Sequence, residues 1–111
     1  MRIACGWAEF IEPGTGTSVA RGRVSACILP RAGRSPWDGE VRLLRGESLN
    51  AGDASIREPL WLLRFEQGDE YRWVVVRSVE RAWAPSGLRA TAYITSFDDE
   101  VPPVVSELGG E

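Results

Sequence analysis

Histidine and lysine are both absent from this 111-residue chain, and each of its thirteen basic residues is an arginine. Without those two types, the usual general base, the Schiff-base nucleophile and the Ser-His-Asp or Cys-His constellations cannot be assembled within one chain. Sulfur is scarce too. Cys5, Cys27 and Met1 are the only sulfur ligands, no imidazole joins them, and a metal centre has no evident donor set. The two cysteines could form a disulfide if their strands pair, but a cytosolic setting makes buried thiols the expectation. No stretch of about 18 uncharged apolar residues occurs, so no transmembrane helix is expected. A charge comes too early in Met1–Glu9 for the apolar centre of a signal peptide. The protein is therefore expected in a cytosol, such as that of a bacterial host, or in a virion assembled there. No cofactor is expected.

Hydrophobic residues make up 43% of the chain and five are Trp, which supports a core rather than disorder. A chain of this size should form one domain and hide roughly two-thirds of its unfolded surface. The net charge of −3 conceals an asymmetry. All the arginines precede residue 98, whereas Asp98, Asp99, Glu100, Glu107 and Glu111 follow it. A weakly basic body, residues 1–97, and an acidic extended tail, residues 98–111, are the expected organisation. The all-arginine usage has a plain reading in genome composition. Its functional reading is that arginine makes flat, bidentate contacts at interfaces, which lysine does not.

The stretch from Leu60 to Phe97 reads as a three-stranded antiparallel meander. Its runs are Leu60–Phe65, Tyr71–Trp83 and Leu88–Phe97, separated by Gln67-Gly68-Asp69 and Ala84-Pro85-Ser86-Gly87. Valine, isoleucine, threonine and aromatics suit a pleated surface, and the spacers are turn chemistry. Upstream, Arg2–Glu12 and Val19–Leu29 should pair around a six-residue loop, with Val24, Ala26 and Ile28 on one face of the second strand. Glu40–Arg45 is a short strand candidate. Asp53 could cap one helical turn, Ala54 to Glu58, which Pro59 would stop. The middle strand of the meander holds a conflict. Odd positions bury Trp73, Val79 and Trp83 but place Arg77 and Arg81 with them, whereas even positions bury Val74 and Val76 and strand Val79. A β-bulge near Arg77-Ser78 resolves it by switching faces. The expected fold is all-β, a small antiparallel barrel or two-sheet sandwich of SH3-like or OB-like kind, with at most one short helical turn.

Faint signals for chemistry remain. Glu66, Asp69 and Glu70 cluster at a hairpin tip, but acidic tips are ordinarily solvated turns. Gly14-Thr15-Gly16-Thr17-Ser18 resembles a phosphate cradle, yet no helix follows it and no lysine serves it, so a hairpin turn is expected. Arg72, Trp73, Arg77 and Arg81, with Tyr71 and Trp83, interleave cations and aromatics as a single-stranded nucleic-acid binder would. The plainer expectation is that Trp73 and Trp83 are core and the arginines lie on a solvated face. The modest charge of the body also disfavours nucleic acid. Trp37 sits in a loop with Arg31 and Arg34. It is open to two readings: an interface anchor, since Trp and Arg are enriched at hot spots, or a cap on the core.

Val41-Arg42-Leu43-Leu44-Arg45-Gly46-Glu47 and Tyr71-Arg72-Trp73-Val74-Val75-Val76-Arg77-Ser78-Val79 resemble elements of the small β-rich head–tail connector proteins of tailed bacteriophages, of the adaptor, stopper and tail-completion types. The strand that this family places between the two elements is compressed here into Leu60–Phe65, and no functional residue carries over. The resemblance implies a non-enzymatic, ring-forming assembly protein, a virion component working through contacts with other protein subunits. Arg31, Arg34, Trp37, Asp98, Asp99 and Glu100 are the candidate partner-binding residues, in a loop and a tail that would dock on contact. Single-stranded nucleic-acid binding through the Arg and aromatic ladder, and inhibition of a host protein by the acidic tail, are the alternatives.

Overall fold

The structure is a computed structural model that describes residues 2–28, 37–44, 47, 49, 60–85, 87–97, 102, 103, 106 and 107. Eight antiparallel strands follow in chain order: β1 (Arg2–Ala4), β2 (Gly6–Ile11), β3 (Ser18–Ile28), β4 (Asp38–Leu43), β5 (Leu60–Phe65), β6 (Glu70–Ala84), β7 (Gly87–Ser96) and β8 (Ser106–Glu107). The sheet runs β2-β5-β6-β7-β4-β3, and β3 pairs back onto β2 to close a six-stranded barrel. β1 and β8 extend the far end of β3. The all-β expectation holds.

Closure follows from side-chain size on the inner face. Ala8, Ala20, Gly22, Gly39, Ala90 and Ala92 alternate around the wall with Phe10, Leu63, Phe65 and Ile94, all of them buried. Small and large residues in alternation are what fill a narrow barrel without voids or strain. Edge-on packing of Trp61 against Phe10, with ring centroids 6.2 Å apart, closes one side of that core.

The first hairpin has the six-residue loop that the sequence implies. Glu12 N–H donates to Thr17 O at 2.9 Å and Gly16 N–H to Glu12 O at 2.8 Å, with Gly16 at φ 71°. The glycine-rich spacer is a turn. β3 departs from the expected alternation. A bulge between Val24 and Ala26 sets Ala26 opposite Glu40 and Cys27 opposite Gly39, so Val24, Ala26 and Ile28 do not continue one register. Cys5 is fully buried, and its N–H donates to Val24 O at 3.4 Å.

Of the segment from residue 98, the described residues are 102, 103, 106 and 107: Pro102 is buried, and β8 pairs with β1 through Ala4↔Ser106 and Ile3↔Glu107. A two-residue strand leaves no periodic signature to read. The helical turn lies at Gln67–Asp69, as a single 3-10 turn with Gly68 at φ 77°. The turn expected at Ala54–Glu58 falls outside the described residues. Among the described residues no helix is long and apolar enough to cross a membrane.

Candidate functional site

Trp37, the loop residue first suspected of contacting a partner, is core. It is 1% exposed, and Ser96 holds its backbone at both ends: Trp37 N–H donates to Ser96 Oγ and Ser96 N–H to Trp37 O, each at 2.9 Å. A ring packed inside the barrel cannot anchor a partner, so of its two readings the structure selects the core. Arg31, Arg34, Asp98, Asp99 and Glu100 lie outside the described residues.

The residue most open to contact is elsewhere. β6 and β7 form a long hairpin whose register shifts between Val76 and Ser78, leaving Arg77 as the extra residue. This is the bulge that the conflicting alternation requires. Val74 and Val76 stay buried before it, and Val79, Arg81 and Trp83 come into register after it with Ala92, Ala90 and Leu88. Two of those partners, Ala92 and Ala90, are buried core residues, so Trp83 continues the core-facing side of the hairpin. The barrel wall ends before it does. β5 last pairs with β6 at Leu60↔Val75, and β4 last pairs with β7 at Arg42↔Thr91. Beyond those points the described strands β6 and β7 pair only with each other, over four residue pairs from Arg81↔Ala90 to Ala84↔Gly87, an arm of roughly 13 Å at 3.3 Å per residue. Its turn is tight because Pro85 presets the backbone and Gly87 takes φ 113°. Trp83, expected in the core, is 83% exposed and faces Leu88, which is 40% exposed.

The candidate nucleic-acid ladder does not form one surface. Trp73, also expected in the core, points outward at 36% exposure beside the outward Tyr71. Arg72 alternates to the other face, where it donates to Tyr71 O at 2.8 Å and to Glu70 at 3.1 Å. The bulged Arg77 donates to Asp38 at 3.3 Å, and Arg81 donates to Leu49 O at 3.2 Å on the core-facing side. Stacking platforms need rings and cations on one face, and Tyr71 and Trp73 face outward whereas Arg72 and Arg81 lie on the core-facing side.

The acidic tip is likewise occupied. Arg21 grips Glu66 in a two-pronged pair at 2.5 and 2.9 Å and lies 4.8 Å over the Trp7 ring. Arg64 holds Asp69 at 2.7 Å and Glu9 at 2.9 Å. The hydrogen bond from Arg21 holds the Glu66 carboxyl below its ordinary pKa, the opposite of what a general acid needs. Because the folded-state value is lowered, the pair stabilises the protein above the ordinary carboxylate range, and that contribution is lost as pH falls through the lowered value. Glu66→Gln should therefore flatten the acid limb of a plot of Tm against pH without altering the neutral plateau's shape. An unchanged acid limb would show that the pair adds nothing.

Among the described residues, no group of three or more His, Cys, Asp or Glu stands together as a metal site. The chain was compared with models of known families, with curated proteins and with solved structures. None matches. The exposed apolar pair that the sequence reading did not set on the surface is Trp83 and Leu88. One signal was present: both flank the Pro85–Gly87 turn, where a strand has the fewest neighbours to cover it.

Proposed function

We propose that this protein is a non-enzymatic interaction or assembly module that works through protein–protein contacts, with the β6–β7 arm as its contact element. The observation that carries the reading is the Trp83 ring, 83% exposed near the end of the β6–β7 hairpin. A ring of that size left in water forgoes on the order of 2–3 kcal/mol of burial. Rigid aromatics at the centre of a contact are the commonest hot spots, and a preformed hairpin loses little entropy on docking. A virion component of connector type is the specific form we favour, on the resemblance of Val41–Glu47 and Tyr71–Val79 to those proteins.

Single-stranded nucleic-acid binding has less support, since its four candidate residues are divided between faces and three are engaged by acids or a carbonyl. Host-protein inhibition rests on the acidic run 98–100, which lies outside the described residues.

A photo-reactive amino acid placed at position 83 in the native host tests the reading. The expected result is a discrete cross-linked protein species, with the contact weakened about 30-fold or more by Trp83→Ala, the effect of losing a 2 kcal/mol hot spot. The same substitution should leave Tm within a degree or two, because an exposed ring adds little to the fold. Cross-links to nucleic acid alone, or to nothing, would overturn it.

A further inference from the structure

The outer face of the barrel is not uniform. Paired strands carry their outward residues in rows, and one row is apolar throughout. Ile11 of β2 faces Leu62 of β5, and Leu62 faces Trp73 of β6. Phe97, whose N–H donates to Trp73 O at 2.9 Å, continues the row at the end of β7. Leu60 opposite Val75 stands beside it on the same face. Trp73 and Phe97 are exposed, at 36% and 60%, and the other four are half-buried. The cause lies in the sequence. Leu60-Trp61-Leu62-Leu63 and Trp73-Val74-Val75-Val76 do not alternate with polar residues, so once Trp61, Leu63, Val74 and Val76 serve the core an apolar set is left on the outer side. Strands apolar on both sides are the pattern of strands covered on both faces. The described strands form a single sheet, which supplies no second layer over this one.

We propose that a second copy of this chain covers this face, apolar row against apolar row. Charge decides the occupant. On one side of the row Arg64 bridges Glu9 at 2.9 Å and Asp69 at 2.7 Å, and on the other, beyond Val75, Arg77 lies 3.3 Å from Asp38. Each of these flanking cations is matched by an acid of its own chain. Two identical faces therefore meet without net like-charge repulsion, and a strongly charged partner finds little to pair with. The opposite flank of the barrel behaves differently. There Arg23 stands directly across from Arg42, and two copies joined through β3 and β4 would set arginines against arginines. A self-complementary surface is what a two-fold pair requires, because the same patch serves both sides. Size sets the strength. Four strands at ~4.8 Å and about five residues at ~3.3 Å span roughly 19 by 17 Å, a few hundred Å² on each copy. A standard stable contact buries about 800 Å² on each side, so this pair is weak and depends on concentration. The face is distinct from the arm, where Trp83 lies on the core-facing side of its hairpin, and either contact can hold without the other.

Sedimentation velocity of the full chain from about 5 to 500 µM tests it. The weight-average mass should climb from 12.2 kDa toward twice that value, and sodium sulfate, which favours burial of apolar surface, should steepen the climb. Phe97→Arg and Trp73→Arg should each weaken the association about tenfold or more. Phe97→Arg should also leave Tm unchanged, because a ring 60% exposed adds little to the fold. Trp83→Ala should associate as the parent does. A photo-reactive amino acid at position 97 should give a cross-linked species of twice the chain's mass. A monomer at every concentration, or association that Phe97→Arg leaves intact or that sulfate weakens, would overturn the inference. So would cross-links from position 97 that form only within one chain or only to a different protein. Cross-linking from position 83 is a separate readout, so the arm stands or falls by its own test.

Discussion

Replacing Trp37 by alanine is expected to remove about 3–5 kcal/mol of stability. The reasoning starts from burial. Trp37 is the largest of the fully buried side chains, and alanine leaves a void that the barrel wall cannot close. The wall is hydrogen-bonded strand to strand all the way round, so it collapses onto a cavity less readily than a loosely held helix would. The backbone around Trp37 is also fixed by its two exchanges with Ser96, which bar the local chain from sliding inward. Against a total stability of about 5–15 kcal/mol for a domain of this kind, the loss is a large fraction. In urea or guanidinium chloride the midpoint should fall with the slope unchanged. The competing reading, in which the ring anchors a partner, expects the stability to stay within about 0.5 kcal/mol of the parent's and the midpoint hardly to move. Denaturation curves of the isolated protein therefore separate the two roles, with no partner required. A midpoint that does not move would return Trp37 to the surface.

What the sequence discloses of this fold is what local chemistry decides. The meander, the first hairpin and the bulge at Arg77 were legible because each leaves a mark within a few residues: β-branched runs, glycine-rich spacers, and two valine alternations that cannot share one register. The bulge at Ser25 left no such mark. Val24, Ala26 and Ile28 alternate without conflict, and only the register against β4 shows the slip. Trp83 was misjudged for a related reason. Its alternation with Val79 is that of a core residue, and the hairpin keeps that alternation. What exposes the ring is the length of β4 and β5, strands far away in sequence that stop before reaching it. Trp37 failed in the opposite direction: its neighbours are loop-like in composition, and burial came from Ser96, 59 residues on. Site and core were thus exchanged for these two tryptophans, each by a tertiary contact that no window of sequence contains.

The functional reading inherits that division. Nothing local to Arg23 or Arg42 distinguishes them from the other arginines. Strand pairing sets them opposite each other, and strand pairing likewise brings Arg64 to Glu9.

Gly22→Ala is expected to cost about 3 kcal/mol or more, at or beyond the upper end of the usual overpacking range. Gly22 is where β3 is paired on both sides at once, with Ala8 of β2 and Leu43 of β4, the seam at which the barrel shuts. A Cβ added there would stand 2.6 Å from the backbone oxygen of Arg42 and 2.9 Å from Val41 Cγ1. The nearer atom belongs to the backbone of β4, which cannot swing aside as a side-chain tip would. Moving it means stretching the β3–β4 ladder that closes the cylinder, so the methyl acts on the whole wall. Glycine inside a strand ordinarily marks such a close approach. The entropic benefit that alanine brings over glycine, about 0.4–1 kcal/mol, is too small to offset a backbone clash. Gly14→Ala is the control, because a Cβ there meets nothing within 4 Å in the turn between β2 and β3. Thermal melts of the two variants should differ in sign or nearly so: Gly14→Ala at or slightly above the parent, Gly22→Ala many degrees below it or unfolded. Equal melting temperatures would mean that β3 does not close the barrel at Gly22, and the β6–β7 arm would lose the frame that places it.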